Sequence, residues 1–340
     1  MKKRIGLVYD LRNDYLALGY SESDVAEFDS EGTISALQET IESLGYETER
    51  IGNGWALCKA LVAGRRWDMV FTIAEGLFGR SRESQVPALL ELYQVPYTFS
   101  DPLVCAATLD KAIAKKLVAS EGLPTPGFAV VRSPDDIANV GLSYPLFAKP
   151  LAEGTGKGID QKSKIETPRQ LDSICRSLLK KYKQPVIVEE YLSGREFTVG
   201  IVGSGQKARV IGTMEIEIAV DGEPAIYSYL NKEECETRIR YSALREPVKK
   251  QEVETLALRC YQVLECRDGG RVDIRCNGQG KPSFLEVNPL AGLHPSHSDL
   301  PMIATQEGMP YKDLINAILQ SAFERAAQEK KTYGKSFSTV

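Results

Sequence analysis

Two periodicities run along this chain. Ile34, Leu37, Ile41 and Leu44 recur at spacings of three and four and predict a helix that stops at Gly45, because such spacing lays apolar side chains along one stripe and glycine favours the helix end. Lys3 to Asp10 and Trp67 to Ile73 are apolar runs of strand length on either side of it. Val86 to Tyr93 reads as a helix and Val95 to Thr98 as a short strand before Asp101-Pro. A helix over Thr108 to Glu121 leads into the Gly122-Leu-Pro-Thr-Pro-Gly127 loop, whose prolines forbid further helix. Phe128 to Val131, Tyr144 to Lys149 and Val186 to Tyr191 are strands around a helix over Pro168 to Lys181. Beyond Gly194 the pattern is strand-rich, with Glu196 to Val202 and Ala208 to Glu217. A last amphipathic helix carries Leu314, Ile315, Ile318, Leu319, Ala322 and Phe323, and a polar, disordered tail is expected after Gln328.

The richest stretch is Gly269 to Arg275 followed by Ser283 to Gly292. Both halves alternate with period two, and Asn277-Gly-Gln-Gly280 between them predicts a hairpin whose Asn-Gly supplies positive φ. Arg271, Asp273, Glu286 and Asn288 then share one face, while Val272, Ile274, Leu285 and Val287 point into a core. Two carboxylates and a carboxamide on facing strands repel unless a cation lies between them. Oxygen ligands of this kind suit Mg²⁺, which completes its octahedron with water and phosphates, so a Mg-nucleotide site is predicted.

Composition narrows the class. The 340 residues are 43% hydrophobic and 26% charged, with a net charge of −4 and no long like-charge run, which fits an ordinary globular protein of two or three domains and offers nothing to nucleic acid or a membrane surface. Met1 to Tyr9 is too short for a signal peptide, so a cytoplasmic enzyme is expected. The seven cysteines form no Cys-x-x-Cys pair and are read as reduced, structural thiols.

Three further segments carry chemistry. Lys149-Pro-Leu-Ala-Glu-Gly-Thr-Gly-Lys-Gly158 follows a strand and can close backbone N–H groups on phosphate oxygens, with a lysine at each end. It is not a Walker A loop, because Leu151 and Gly158 stand where glycine and serine or threonine would be required. Glu189, Glu190, Leu192 and Glu196 could clamp a base and ribose hydroxyls. Lys111 and Lys149 lie in different elements and reach one triphosphate only if the fold brings them together.

In this order, Leu109-Asp-Lys111, Phe147-Ala-Lys-Pro150 with its Glu-Gly-x-Gly loop, Glu189-Glu-x-Leu-x-Gly-x-Glu-Phe-Thr-Val199, Gly270-Arg-Val-Asp273, Leu285-Glu-Val-Asn-Pro289 and Ser298-Asp-Leu-Pro301 resemble the ATP-grasp D-alanine–D-alanine ligases and their relatives. The likeness runs from Phe71 to Leu319. It implies an α/β fold of α+β ATP-grasp type: an N-terminal open α/β substrate domain over 1–100, a central ATP-grasp subdomain over 101–192, a C-terminal catalytic domain over 193–330 and a polar tail over 331–340. It further implies ATP and two Mg²⁺ ions, with Mn²⁺ as an alternative, small amino-acid substrates and a homodimer.

Carried over by motif, Lys111 and Lys149 would hold phosphates, and Glu153, Gly154, Thr155, Gly156 and Lys157 would form the closing loop. Glu189, Glu190, Leu192 and Glu196 would hold adenosine, and Asp273, Glu286 and Asn288 the metal. Arg271 and the Gly292 N–H would stabilise an oxyanion. Ser298 matches the serine that holds the second substrate's carboxylate, and Lys232 a mobile-loop lysine that reaches the γ-phosphate. His294 and His297 are expected as loop contacts near that carboxylate rather than as zinc ligands.

Three substrate-facing positions depart from the family pattern. The opening Gly-Gly-x-Ser-x-Glu signature is absent, which leaves Glu27 as the candidate for the first amino group. Glu75 stands where a histidine opens the next loop, and Glu233 replaces the tyrosine or histidine that faces the second substrate. The leading expectation is an ATP-dependent carboxylate–amine ligase with an altered amino-acid pocket, acting through an acyl phosphate. The alternatives are a genuine D-alanine–D-alanine ligase of peptidoglycan synthesis and, from another class, a non-catalytic ATP-binding regulator.

Overall fold

The computed structural model describes residues 2–218 and 239–333, arranged around three sheets. The first is parallel, in the order β2-β1-β3, built from β1 (Arg4–Val8), β2 (Glu47–Gly52) and β3 (Met69–Thr72). Helices α1 (Arg12–Ala17), α2 (Glu31–Ser43), α3 (Gly54–Val62) and α4 (Gln85–Leu92) alternate with these strands. Ile34, Leu37 and Ile41 of the predicted stripe are buried on α2, Leu44 is its half-buried C-cap, and Gly45 follows at φ +94°. β2 and α3 were not anticipated. Where Val95 to Thr98 was expected as a strand, only Tyr97 forms a parallel bridge, to Val70.

The helix expected over Thr108 to Glu121 is two helices, α5 (Pro102–Leu109) and α6 (Lys111–Ser120). Asp110 breaks them because its carboxylate accepts from the Ala112 and Ile113 N–H groups and caps α6.

The second sheet is antiparallel, in the order β4-β7-β5-β6: β4 (Phe128–Val131), β5 (Leu146–Pro150), β6 (Lys164–Ile165) and β7 (Val186–Glu190). Helix α7 (Pro168–Tyr182) buries Leu171 and Cys175 against it.

The third sheet is also antiparallel, in the order β10-β9-β8-β11-β12: β8 (Glu196–Val202), β9 (Arg209–Ile218), β10 (Ile239–Ala243), β11 (Gly269–Cys276) and β12 (Pro282–Asn288). Helix α8 (Pro247–Val263) covers one face with Val253, Leu256, Ala257, Cys260 and Tyr261, so the segment is less strand-rich than expected. Helix α9 (Asp299–Gln306) follows. Helix α10 (Tyr311–Tyr333) then places Leu314, Ile315, Ile318, Leu319 and Ala322 in one core with Ile5, Ile34, Leu37 and Phe71, joining the C-terminal part of the chain to the first sheet. The tail expected after Gln328 is helical to Tyr333.

Two details of the β11–β12 hairpin differ from the expectation. The register shifts between Asp273 and Ile274, so Ile274 pairs with Phe284 and the strand holds one extra residue. Phe284 takes the inward position, and Leu285 is only half-buried and faces a cavity. In the turn, Gly280 rather than Gly278 has positive φ, and the Asn277 side chain accepts from the Gln279 and Lys281 N–H groups.

Among the described residues no helix is long and apolar enough to cross a membrane, and Cys58, Cys105, Cys175, Cys260, Cys266 and Cys276 are free thiols.

Candidate functional site

The second and third sheets face each other across a cleft, and their side chains meet there. Lys149 on β5 lies 3.3 Å from Glu286 Oε2 on β12 and 3.4 Å from Glu189 Oε2 on β7. Lys111, at the start of α6, donates to the Glu153 carbonyl at 2.6 Å and lies 3.7 Å from the same Glu286 oxygen. The fold therefore brings together two lysines whose convergence the sequence left open. Burial opposes the Lys149 charge, but Glu189 and Glu286 hold its ammonium above the usual lysine range.

Glu189 is occupied. Its second oxygen lies 2.7 Å from Lys115, and although burial disfavours the carboxylate, Lys115 and Lys149 keep it below the usual range. Burial in turn pulls Lys115 down. Sequence reading passed over Lys115, which sits one helical turn beyond Lys111 and was the available signal. A cavity beside this network is lined by Phe147, Tyr191, Leu192, Glu196, Arg275 and Leu285. Glu196 accepts from Arg275 at 2.8 Å, whereas Glu190 is exposed and accepts from the Gly127 N–H at 3.2 Å.

The glycine loop lies at the cleft edge. Thr155, Gly156 and Gly158 have φ of +48°, +73° and +79°, and a Cβ on Gly158 would stand 2.5 Å from Pro150 Cγ, so the turn needs glycine there. Lys157 and Glu153 pair at 3.0 Å. The Thr155 hydroxyl is buried without a partner among the described residues, a donor left for a ligand.

Arg271, Asp273, Glu286 and Asn288 share the hairpin face as predicted. Arg271 pairs with Asp273 and stands 3.5 Å from Asp299. Thr198 donates to the other Asp273 oxygen at 3.0 Å. Among the described residues no three His, Cys, Asp or Glu side chains form a metal cage. Two carboxylates with a carboxamide fit Mg²⁺ as a partial oxygen shell, the remainder coming from water and phosphate.

A second cavity adjoins this face. It is lined by Arg271, Asn288 and Gly292 on one side and by Glu27, Glu75 and Glu83 on the other. Ser298 is close behind: a Cβ on Gly292 would stand 2.8 Å from its Oγ, which accepts from the His294 N–H at 3.0 Å. The His294 and His297 rings lie 4.7 Å apart, and burial beside His297 lowers the His294 pKa.

Glu27 does not stand free in this cavity. It pairs with Arg82 at 2.8 Å and accepts from the Gly154 N–H, while Arg82 also donates to the Ala152 carbonyl at 2.9 Å. Burial, with Glu83 and Glu27 nearby, pushes Glu75 well above the carboxylate range; burial also raises Glu83 to about 7, against the pull of Arg82. Neither Arg82 nor Glu83 was singled out from sequence. The Gly76 turn returns them beside Glu75: its φ is +70°, and a Cβ there would meet the Arg82 carbonyl at 2.7 Å. Lys232 and Glu233 lie outside the described residues.

Residues 117–320 match the family model for the D-ala D-ala ligase C-terminus. A D-alanine–D-alanine ligase of Bordetella avium is 32% identical over 291 residues, covering 85% of this chain and 88% of the relative. An uncharacterized protein, y4sG, of Sinorhizobium fredii is 34% identical over 271 residues, covering 76% and 75%. Among solved structures, the ATP complex of a D-alanine–D-alanine ligase from Bacillus anthracis aligns with a TM-score of 0.74 over 97% of this chain and 99% of that one, at 22% identity, a likeness of fold.

Proposed function

The chain belongs to the D-alanine–D-alanine ligase family and is an ATP-dependent ligase that forms C–N bonds, and from that premise we propose that it joins two amino acids through an acyl phosphate, with an amino-acid pocket of its own. The observation that carries this reading is the 3.3 Å approach of Lys149 to Glu286 across the cleft. It sets a phosphate-binding cation against a metal-binding carboxylate, beside a cavity that holds Arg271 and Gly292.

In this reading three domains, over 1–100, 101–192 and 193–330, enclose the reactants. Lys111, Lys149 and the Glu153 to Lys157 loop neutralise and hold phosphate oxygens, and Leu192, Leu285 and Glu196 receive adenosine. Asp273, Glu286 and Asn288 would hold Mg²⁺, which when bound supplies charge neutralisation at the phosphates. The carboxylate of the first amino acid attacks the γ-phosphorus, a P–O bond forms and ADP leaves. The amine of the second amino acid then attacks the acyl carbon, and expulsion of phosphate completes the amide. Arg271 and the Gly292 N–H face the cavity where the oxyanion of that step develops. No protein nucleophile is required, since positioning and charge neutralisation carry the rate.

Glu75, Arg82 and Glu83 around the substrate cavity support a specificity that is not limited to two D-alanines. Phosphate release from Mg-ATP, measured across single and paired D- and L-amino acids with mass spectrometry of the products, tests this. Turnover with another pair supports the altered pocket. High turnover with D-alanine alone identifies a D-alanine–D-alanine ligase, and no turnover with any pair would count against the ligase reading.

A further inference from the structure

The three glutamates at the amino-acid end of the cavity are committed differently. Glu27 is held by the Arg82 guanidinium at 2.8 Å and by the Gly154 N–H. The Gly154 bond ties the N-terminal region to the glycine loop, and Arg82 adds a second tie at the Ala152 carbonyl. Glu75 and Glu83 line the same cavity, and among the described residues neither makes a hydrogen bond or an ion pair.

Two carboxylates that share a partly dehydrated cavity repel, and each lacks the donors that ionised oxygens require. The cations nearby are engaged elsewhere: Arg82 on Glu27, Lys111 on the Glu153 carbonyl, and Arg271 on Asp273. What completes this end of the cavity is one positive charge bearing several N–H donors, small enough to enter beside Gly292 and the Arg271 face. A primary ammonium meets that description. A hydroxyl supplies one donor and no charge.

We propose, resting on the ligase reading of this site, that Glu75 and Glu83 together seat the α-ammonium of the carboxylate-donating amino acid, and that Glu27 is instead a positioning residue that latches the glycine loop. This moves the ammonium seat from the residue that sequence likeness favoured to two residues on the Gly76 turn. It also makes Gly154 a sensor of the latch, because a Cβ there would stand 2.6 Å from Glu27 Oε1.

The test compares full-length wild type with E27Q, E75Q and E83Q, which change charge with little change of volume. With a saturating acceptor amino acid in every assay, phosphate release from Mg-ATP and the mixed product are measured with the carboxylate donor that wild type uses best and with the 2-hydroxy acid of the same side chain and hand; for alanine the control is lactate. E75Q and E83Q are each expected to raise KM for the amino acid at least about tenfold, leave KM for ATP within about twofold, and cut the amino-over-hydroxy ratio of kcat/KM at least about tenfold. E27Q is expected to keep that ratio and to raise KM for ATP. Loss of the ratio in E27Q alone, or its retention in both E75Q and E83Q, overturns the assignment while leaving the ligase reading intact. Absence of any amino-acid-dependent phosphate release by wild type overturns both. Should a glutamine variant not fold, wild type still decides: a ratio near one overturns the seat, and a ratio above about one hundred supports it.

Discussion

Lys115 Nζ stands 2.7 Å from Glu189 Oε1, and the two side chains are 0% and 3% exposed. Glu189 thereby joins a lysine on α6 to Lys149 on β5, and Lys115 also donates to the Phe284 carbonyl of β12 at 3.2 Å. One buried carboxylate thus fixes the position of the cation that faces the cleft. Lys115→Met removes half of its neutralisation, and breaking one side of a buried pair costs about 3 kcal/mol. Urea unfolding should report that loss, and kcat/KM for ATP should fall with it, because Glu189 then draws Lys149 inward. Native stability in Lys115→Met would show that Lys149 suffices.

The hairpin carboxylates predict a strict metal requirement. Asp273→Asn should lower Mg-dependent phosphate release at least about a hundredfold, while the melting temperature changes little, since Arg271 retains Asp299 at 3.5 Å. Removal of metal with EDTA should abolish release by wild type, and excess Mg²⁺ should restore it. Undiminished release in EDTA would contradict the role given to Asp273 and Glu286.

Gly292 and Ser298 touch closely enough for one methyl group to matter. A Cβ at 292 would stand 2.8 Å from Ser298 Oγ and 3.4 Å from its Cβ, so Gly292→Ala must displace the serine. The expected result is a KM for the second amino acid raised about tenfold or more, with KM for ATP unchanged. The double variant Gly292→Ala with Ser298→Ala should relieve the clash without restoring affinity.

Asp29 makes stability depend on pH. Burial, then the neighbouring Asp10, raises its carboxyl to about 7, against weaker pulls from Thr33 and Arg12. In the unfolded chain it titrates near pH 4. Since the folded value is the higher, the folded state binds more protons between these limits: this contribution is full below about pH 4 and is lost as pH rises through about 7. Glu83 acts in the same sense. Asp29→Asn should flatten the decline and, at pH 8, be more stable than wild type by on the order of 1–2 kcal/mol. Thermal melts at pH 5 and pH 8 would check both the sign and the window.

The periodicity of the chain alone placed Arg271, Asp273, Glu286 and Asn288 on one face, because the side-chain direction of a strand repeats every two residues and depends on near neighbours. The same local rules located α2 and the apolar stripe of α10. Helix α8 shows the same kind of pattern, in Val253, Leu256, Ala257, Cys260 and Tyr261, and was passed over because strands flank it on both sides. The bulge that turns Leu285 toward the cleft left no local mark, since it arises from how β12 must register on β11.

The charges divide the same way. Sequence pattern could say that Lys149 ends a strand and that Glu27 precedes a helix, but not that Glu189 would be claimed by two lysines or Glu27 by Arg82 and Gly154. Those pairings join residues 40 to 127 positions apart. The partner of a buried charge is set by which elements pack together, and that is decided by the tertiary fold and not by the neighbours in the chain.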